Sequence, residues 1–297
     1  MSKQTLDAPK TEDAKALAAF DSARQLMLAN KFDQALAGFA QVLESWPELS
    51  ETNYYRGWIY FLKKEYQLAI DEFTIRLLKQ PNCALAMYFR GLCYEGLNDH
   101  FEALCDYTNA LDEDEDFVIA YYARGQLRAA LMDFNGAVDD YNEAIEIEPG
   151  FADAWYSRAL IFEEFEQFGE AIRDYDQAIQ VDPAHADALC SRGMLFKRLG
   201  EGAFALADFN KCLESDPSMV EAWVEKARVL KSCGSLPQAL ACITKAIDCE
   251  SDPEFLQERA VIYMELGQPD LAYKDFSRYI AELNREDKEL SGGSIEH

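Results

Sequence analysis

Three histidines, eight cysteines and 54 acidic residues give this 297-residue chain the raw material for metal binding or acid–base chemistry. The spacings do not use it. His100, His185 and His297 fall at a turn, a segment junction and the C-terminus, with no cysteine or carboxylate at a ligand or triad spacing. Cys83, Cys93, Cys105, Cys190, Cys212, Cys233, Cys242 and Cys249 contain no CxxC pair. The run "DEDED" at 112–116 resembles the start of a calcium loop, but the required glycine and closing glutamate do not follow. "GEGAFA", residues 200–205, fits G-x-G-x-x-A, a pattern that cradles phosphate only after a β-strand. Here it follows the helical "MLFKRL" and reads as a turn. A basic series, Arg56, Arg90, Arg124, Arg158, Arg192, Lys226 and Arg259, could make an anion ladder. An acidic series, Glu72, Asp106, Asp140, Asp174, Asp208 and Asp275, recurs beside it, and pairing between the two is the simpler account. The expectation is no enzyme, no metal site and no cofactor.

Bulk properties narrow the partners. The formal net charge of -26 opposes binding to nucleic-acid phosphates or to an anionic membrane surface. Its plain effect is solubility through self-repulsion. The cysteines read as small buried thiols in a reducing compartment. The N-terminal "MSKQTLDAPKTED" lacks the apolar core of a secretory signal, and no run approaches the roughly 18 apolar residues of a membrane span. A cytoplasmic protein is expected, with no nucleic acid and no membrane as partner.

The elements that must position any site announce themselves by repetition. Pro47, Pro81, Pro149, Pro183 and Pro217 fall on one 34-residue register, with Glu115 and Ser251 filling it where proline is missing. Alanine recurs at 35, 69, 103, 137, 171, 205 and 239, followed four residues later by Phe39, Phe73, Tyr107, Tyr141, Tyr175, Phe209 and Ile243. A small residue recurs at Ala23, Gly57, Gly91, Gly125, Ala159, Gly193, Ala227 and Ala260. Eight units result: 16–49, 50–83, 84–117, 118–151, 152–185, 186–219, 220–252 and 253–286. Spacings of three and four put each column on one helical face, so each unit reads as two helices. Glycine is costly inside a helix, and its recurrence implies close approach of the paired helices, against the alanine column. The proline reads as the terminator of the second helix.

Within 152–185, "WYSRALIF", "EAIRDYDQAI" and "VDP" follow the order W-x2-L-G-x2-Y, A-x3-F, P. The chain thereby resembles the tetratricopeptide repeat family over about residues 16–286. Arg128, Arg76, Glu115 and Ser251 depart from the pattern, as do Ala19 in the first unit and Tyr279 in the last. The resemblance implies an all-α, right-handed superhelical solenoid of eight antiparallel helix pairs. Residues 1–15 are then a polar tail and helix entry, and 287–297 a flexible tail. It also implies a non-catalytic scaffold or adaptor that holds another protein or peptide in a concave groove.

Positions two, five, nine and twelve of a unit share the face that would line that groove. Position five supplies Tyr54, Tyr88, Tyr122 and Tyr156, with Trp58, Leu92 and Gln126 beside them at position nine. Tyrosine and tryptophan give large contact areas at low entropy cost, so these are the expected stacking anchors. Lys197, Arg198, Arg228 and Lys231 would attract an acidic part of the ligand. Tyrosines replace the basic residues with which related grooves clamp a peptide carboxylate. The competing expectation is a regulatory sensor whose superhelix pitch changes on binding a peptide signal. The sequence leaves monomer and dimer open.

Overall fold

The computed structural model describes the backbone of residues 8–292 and the side chains of residues 14–285. The described residues form sixteen helices and no strand. They divide into two compact units after Glu148. The first unit holds α1 (Ala8–Leu28), α2 (Phe32–Ser45), α3 (Glu51–Leu62), α4 (Tyr66–Lys79), α5 (Ala84–Gly96), α6 (His100–Glu113), α7 (Val118–Ala130) and α8 (Phe134–Ile147). The second holds α9 (Ala152–Glu164), α10 (Phe168–Val181), α11 (Ala186–Arg198), α12 (Gly202–Ser215), α13 (Val220–Ser232), α14 (Leu236–Cys249), α15 (Pro253–Glu265) and α16 (Pro269–Gly292). Odd and even helices pair as antiparallel hairpins, and within each unit the even helix of one hairpin packs on the odd helix of the next. Each unit is thus an all-α stack of four helix pairs. The expected entry segment is helical from Ala8, and residues 1–7 lie outside the described residues. Helix α16 extends to Gly292, over part of the expected C-terminal tail of 287–297; residues 293–297, including His297, lie outside the described residues.

The alanine and aromatic columns form the core. Ala35, Ala69, Ala103 and Ala137 are fully buried in the first unit, as are Ala171, Ala205, Ala239 and Ala272 in the second. Phe39, Phe73, Tyr107 and Tyr141 lie beneath them, then Tyr175, Phe209 and Ile243. A third column is not evident from the spacing: Ala86, Ala120, Ala154, Ala188 and Ala222 are also fully buried, Ala86, Ala120, Ala188 and Ala222 where successive hairpins of a unit meet. The glycines do mark close approach, but against the aromatic column, not the alanine one. A methyl on Gly57 would come 2.8 Å from the Phe73 ring, and one on Gly91 2.7 Å from the Tyr107 ring. The aromatic ring fills the space that the missing side chain leaves.

Proline is not what stops the even helices. The even helices α2 to α14 end two residues before the proline column, including those that meet Glu115 and Ser251 there, whereas α16 runs on to Gly292. Asp114, before Glu115, is as extended (φ −142, ψ 94) as Asp182 before Pro183 (φ −123, ψ 95). Where the junction residue is aspartate its side chain braces the turn; Trp46, Gln80, Glu148 and Glu250 stand there in four other hairpins, whose even helices end in the same register. Asp114, Asp182 and Asp216 each accept the backbone N–H two residues on, at 3.2, 3.0 and 2.9 Å. Two tryptophans add a pin, since the Trp155 and Trp223 indoles donate to the Pro149 and Pro217 carbonyls at 3.0 Å.

Inside each hairpin the chain reverses through one left-handed residue. These are Asn30, Lys64, Asn98, Met132, Glu166, Gly200, Gly234 and Gly267. "GEGAFA" is therefore such a turn, with Gly200 at φ +81. A left-handed conformation costs an L-residue roughly 1–2 kcal/mol, and Met132 adopts it with its side chain 72% exposed. Met132→Gly should raise stability by about 0.5–1 kcal/mol and Gly200→Ala should lower it by a similar amount. Urea midpoints followed by circular dichroism check both, and a loss on Met132→Gly would contradict this reading of the turn.

Candidate functional site

The two charged series pair within hairpins. Arg90 sends two parallel bonds to Asp106 (Nε to Oδ2 2.8 Å, Nη2 to Oδ1 2.7 Å), sixteen residues ahead. Arg124 does the same to Asp140, Arg158 to Asp174, Arg192 to Asp208 and Arg259 to Asp275. Arg56 meets Glu72 at 2.7 Å. The guanidinium also reaches back sixteen residues, across to the preceding hairpin. Arg90 donates to Thr74 at 3.1 Å, Arg124 to Thr108 at 3.1 Å, and Arg192 to Asp176. Where arginine and carboxylate both stand, this side of the odd helix is a structural staple, not an anion site.

The unusual residues of the sequence join this polar framework. Arg128 donates to Asp140 at 2.8 Å and to the Gly136 carbonyl at 3.1 Å. Arg76 is buried and donates to the Ser50 hydroxyl. His185 accepts the Ala188 N–H through Nδ1 at 3.2 Å and so caps α11. Its Nε2 lies 3.4 Å from Asp153, a neighbour that sequence spacing did not reveal. Among the described residues no three His, Cys, Asp or Glu side chains gather as a metal site. No described helix is long and apolar enough to cross a membrane.

Opposite the staple lies the face with positions two, five, nine and twelve. In the first unit Tyr54, Tyr88 and Tyr122 recur on it, one per hairpin, and all three rings are half-buried. Tyr54 packs against Phe73 (centroids 5.9 Å apart) and Phe89 (6.1 Å), and Tyr88 against Tyr107 (5.9 Å) and Phe117 (5.4 Å). Tyr122 meets Tyr141 at 5.9 Å and accepts a hydrogen bond from the exposed Gln126 amide at 3.0 Å. Trp58 and Leu92 are half-buried against the cores of their hairpins. In the second unit Tyr156 packs on Tyr175 (6.1 Å) and on the His185 ring (5.1 Å). The expected free stacking anchors are thus wedges between helices that leave part of each ring for contact. Burial drives the Tyr54 phenol up to about 12 and pushes Tyr88 and Tyr156 upward as well. Tyr107 and Tyr175, deeper still, donate to Glu95 at 2.9 Å and Glu163 at 2.8 Å.

The four expected cations do not form an unopposed basic patch. Lys197 pairs with Glu225, Arg198 with Glu166 (3.0 Å), and Lys231 approaches Glu265 (3.7 Å). Arg228 bridges Glu225 (2.5 Å) and Glu258. Glu258 and Glu265 lie on α15 and Glu166 in the turn after α9, out of view of sequence spacing, whereas Glu225 stands three residues before Arg228 on α13. Arg228 and Lys231 do share one cavity of about 350 Å³, lined also by Gln257, Glu258 and Val261. It offers alternating charge to a polar backbone, not a net positive field.

Three models of the tetratricopeptide repeat match residues 20–75, 118–151 and 152–185. No curated protein matches the chain significantly. Among solved structures, the C-terminal part of a TPR repeat-containing protein from Cytophaga hutchinsonii is similar with a TM-score of 0.64 at 18% identity. That match covers 82% of this chain and 100% of the other. A tetratricopeptide repeat protein from Parabacteroides merdae gives 0.58 at 20% identity, over 78% and 92% of the two chains. YrrB, described as a TPR protein with an unusual peptide-binding site, gives 0.51 at 22% identity, over 62% and 94%. At these identities the likeness is one of fold.

The Tyr54 phenol supplies a test of how deeply the line is wedged. A phenol raised in the folded state holds its proton more tightly than in the unfolded chain. Its contribution is therefore complete below pH 10 and is lost as the pH climbs towards about 12. Tyr54→Phe should lose less stability than wild type between those limits, read as urea midpoints at several pH values. Parallel losses in the two proteins would show that Tyr54 is not buried as described.

Proposed function

We propose, because the chain belongs to the tetratricopeptide repeat family, that it is a non-catalytic scaffold holding an extended segment of another protein along the tyrosine face. The observation that carries this reading is the recurrence of Tyr54, Tyr88 and Tyr122, one per hairpin, on the face opposite the staple. A repeated ring edge and hydroxyl suit an extended peptide, because main-chain N–H and C=O groups recur along it at regular intervals. Gln126, exposed and bonded to Tyr122, adds an amide that can both donate and accept. In the second unit the Arg228–Glu258 pair and Lys231 continue the same positions with charges that a polar segment can exchange into. The peptide-binding site named for YrrB gives the fold a precedent for such a role.

Substitution by phenylalanine isolates the hydroxyls, since it keeps the wedged rings. Tyr88→Phe/Tyr122→Phe should weaken partner binding by roughly five- to tenfold while leaving the thermal midpoint nearly unchanged. A photo-reactive side chain at position 126 should cross-link to a partner in cell extract, whereas one at the 78%-exposed Leu78 should not. Equal cross-linking at both positions, or unchanged binding by the double variant, would contradict the groove.

A further inference from the structure

The staple is broken in one hairpin of the second unit, and it is broken at all three of its members. In the hairpin formed by α13 and α14 the basic residue is Lys226, not arginine. Sixteen residues ahead stands Cys242 where other hairpins place aspartate, and sixteen behind stands Asn210 where α10 places Asp176. Among the described residues Lys226 consequently has no carboxylate within ion-pair distance, and its Nζ sits 5.1 Å from the centre of the Trp223 ring. In the hairpins with an intact staple, the arginine meets its carboxylate at 2.6–2.7 Å.

The same three residues line one cavity of about 490 Å³. Leu206, Trp223, Leu230, Gln238 and Ala241 complete its wall. Its residues lie at positions four, seven and eleven of the odd helix, on the far side from the tyrosine face. Corresponding grooves elsewhere are already neutralised or repel anions. One is walled by the paired Arg158 and Asp174. Another, in the first unit, carries Asp112, Glu115, Asp116, Glu143 and Glu146 around the paired Arg124. Only at Lys226, among these grooves, does an apolar wall meet a cation that lacks its carboxylate.

We propose that this groove is a second binding site, taking an acidic side chain of a partner polypeptide flanked by an aromatic or aliphatic residue. The partner's carboxylate completes the staple, accepting from Lys226 Nζ and the Asn210 amide. Its apolar neighbour covers Leu206, Trp223 and Leu230. The Trp223 indole is fixed by its bond to the Pro217 carbonyl, so the wall is formed before the ligand arrives. The site does not depend on the tyrosine face and could operate with that face occupied.

The test uses two capped peptides, acetyl-Gly-Glu-Phe-Gly-amide and its Gln analogue, titrated against the full chain. The readout is the Trp223 indole N–H resonance, identified among the four tryptophans by Trp223→Phe. The Glu peptide should shift that resonance and bind about fivefold more tightly than the Gln peptide, and Lys226→Met should erase the difference. The Lys226→Arg/Cys242→Asp double variant rebuilds the staple as found in the other hairpins. It should fold normally and lose the Glu preference. Equal affinity for the two peptides, no shift of the Trp223 resonance, or a rebuilt staple that binds as wild type would each overturn the proposal.

Discussion

A guanidinium held between two hairpins is the constraint on which the rest of this structure depends. Each staple arginine reaches sixteen residues ahead to a carboxylate and, at Arg90, Arg124 and Arg192, sixteen behind to the previous hairpin. The carboxylates are buried, Asp140 to 2% exposure, so neither partner can lose the other without leaving charge in a poor solvent. Apolar packing supplies most of the driving force, but alanines and aromatic rings tolerate sliding. A bidentate bond with fixed geometry does not. The staple therefore sets the register in which the next hairpin docks, and repetition of that register within each unit produces the stack.

Function follows from what the staple leaves over. One side of α3, α5, α7, α9, α11 and α15 is consumed by pairing, and the small and aromatic columns are consumed by the core. The opposite face leaves Tyr54, Tyr88 and Tyr122 only half-buried, and it is where the proposed partner would lie. Structure and recognition share those residues, since the buried part of Tyr54 or Tyr88 fixes the edge that remains for contact. The same logic gives meaning to the broken staple at Lys226. A charge pattern that is structural in most hairpins becomes a binding feature where its partner is missing.

Much of this was legible in the sequence because a repeat reports each position many times. The helical hairpins, the alanine and aromatic core and the pairing of Arg90 with Asp106 all follow from spacing. What failed did so for physical reasons. Proline at the junction reads as the terminator, yet the helix ending before Glu115 stops at the same place, where Asp114 braces the turn. The glycines were placed against alanine because spacing gives faces but not ring directions, and the rings of Phe73 and Tyr107 lean into them. Lys197, Arg198, Arg228 and Lys231 read as a basic patch because most of the glutamates that face them stand in segments distant in sequence, Glu225 beside Arg228 excepted. The reduced exposure of Tyr54 and Tyr88 depends on Phe89 and Phe117 in the next segment, a contact that no single periodicity encodes.

The most direct test of the central claim is a double-mutant cycle on Arg90 and Asp106, with stability measured by urea unfolding. Arg90→Met and Asp106→Leu should each cost about 3 kcal/mol, because each strands a buried charge. The double variant should cost well under the sum, with a coupling of at least about 1.5 kcal/mol. Additive losses would mean that the pair is a bystander to the packing, and that something other than the staple holds the hairpins in register.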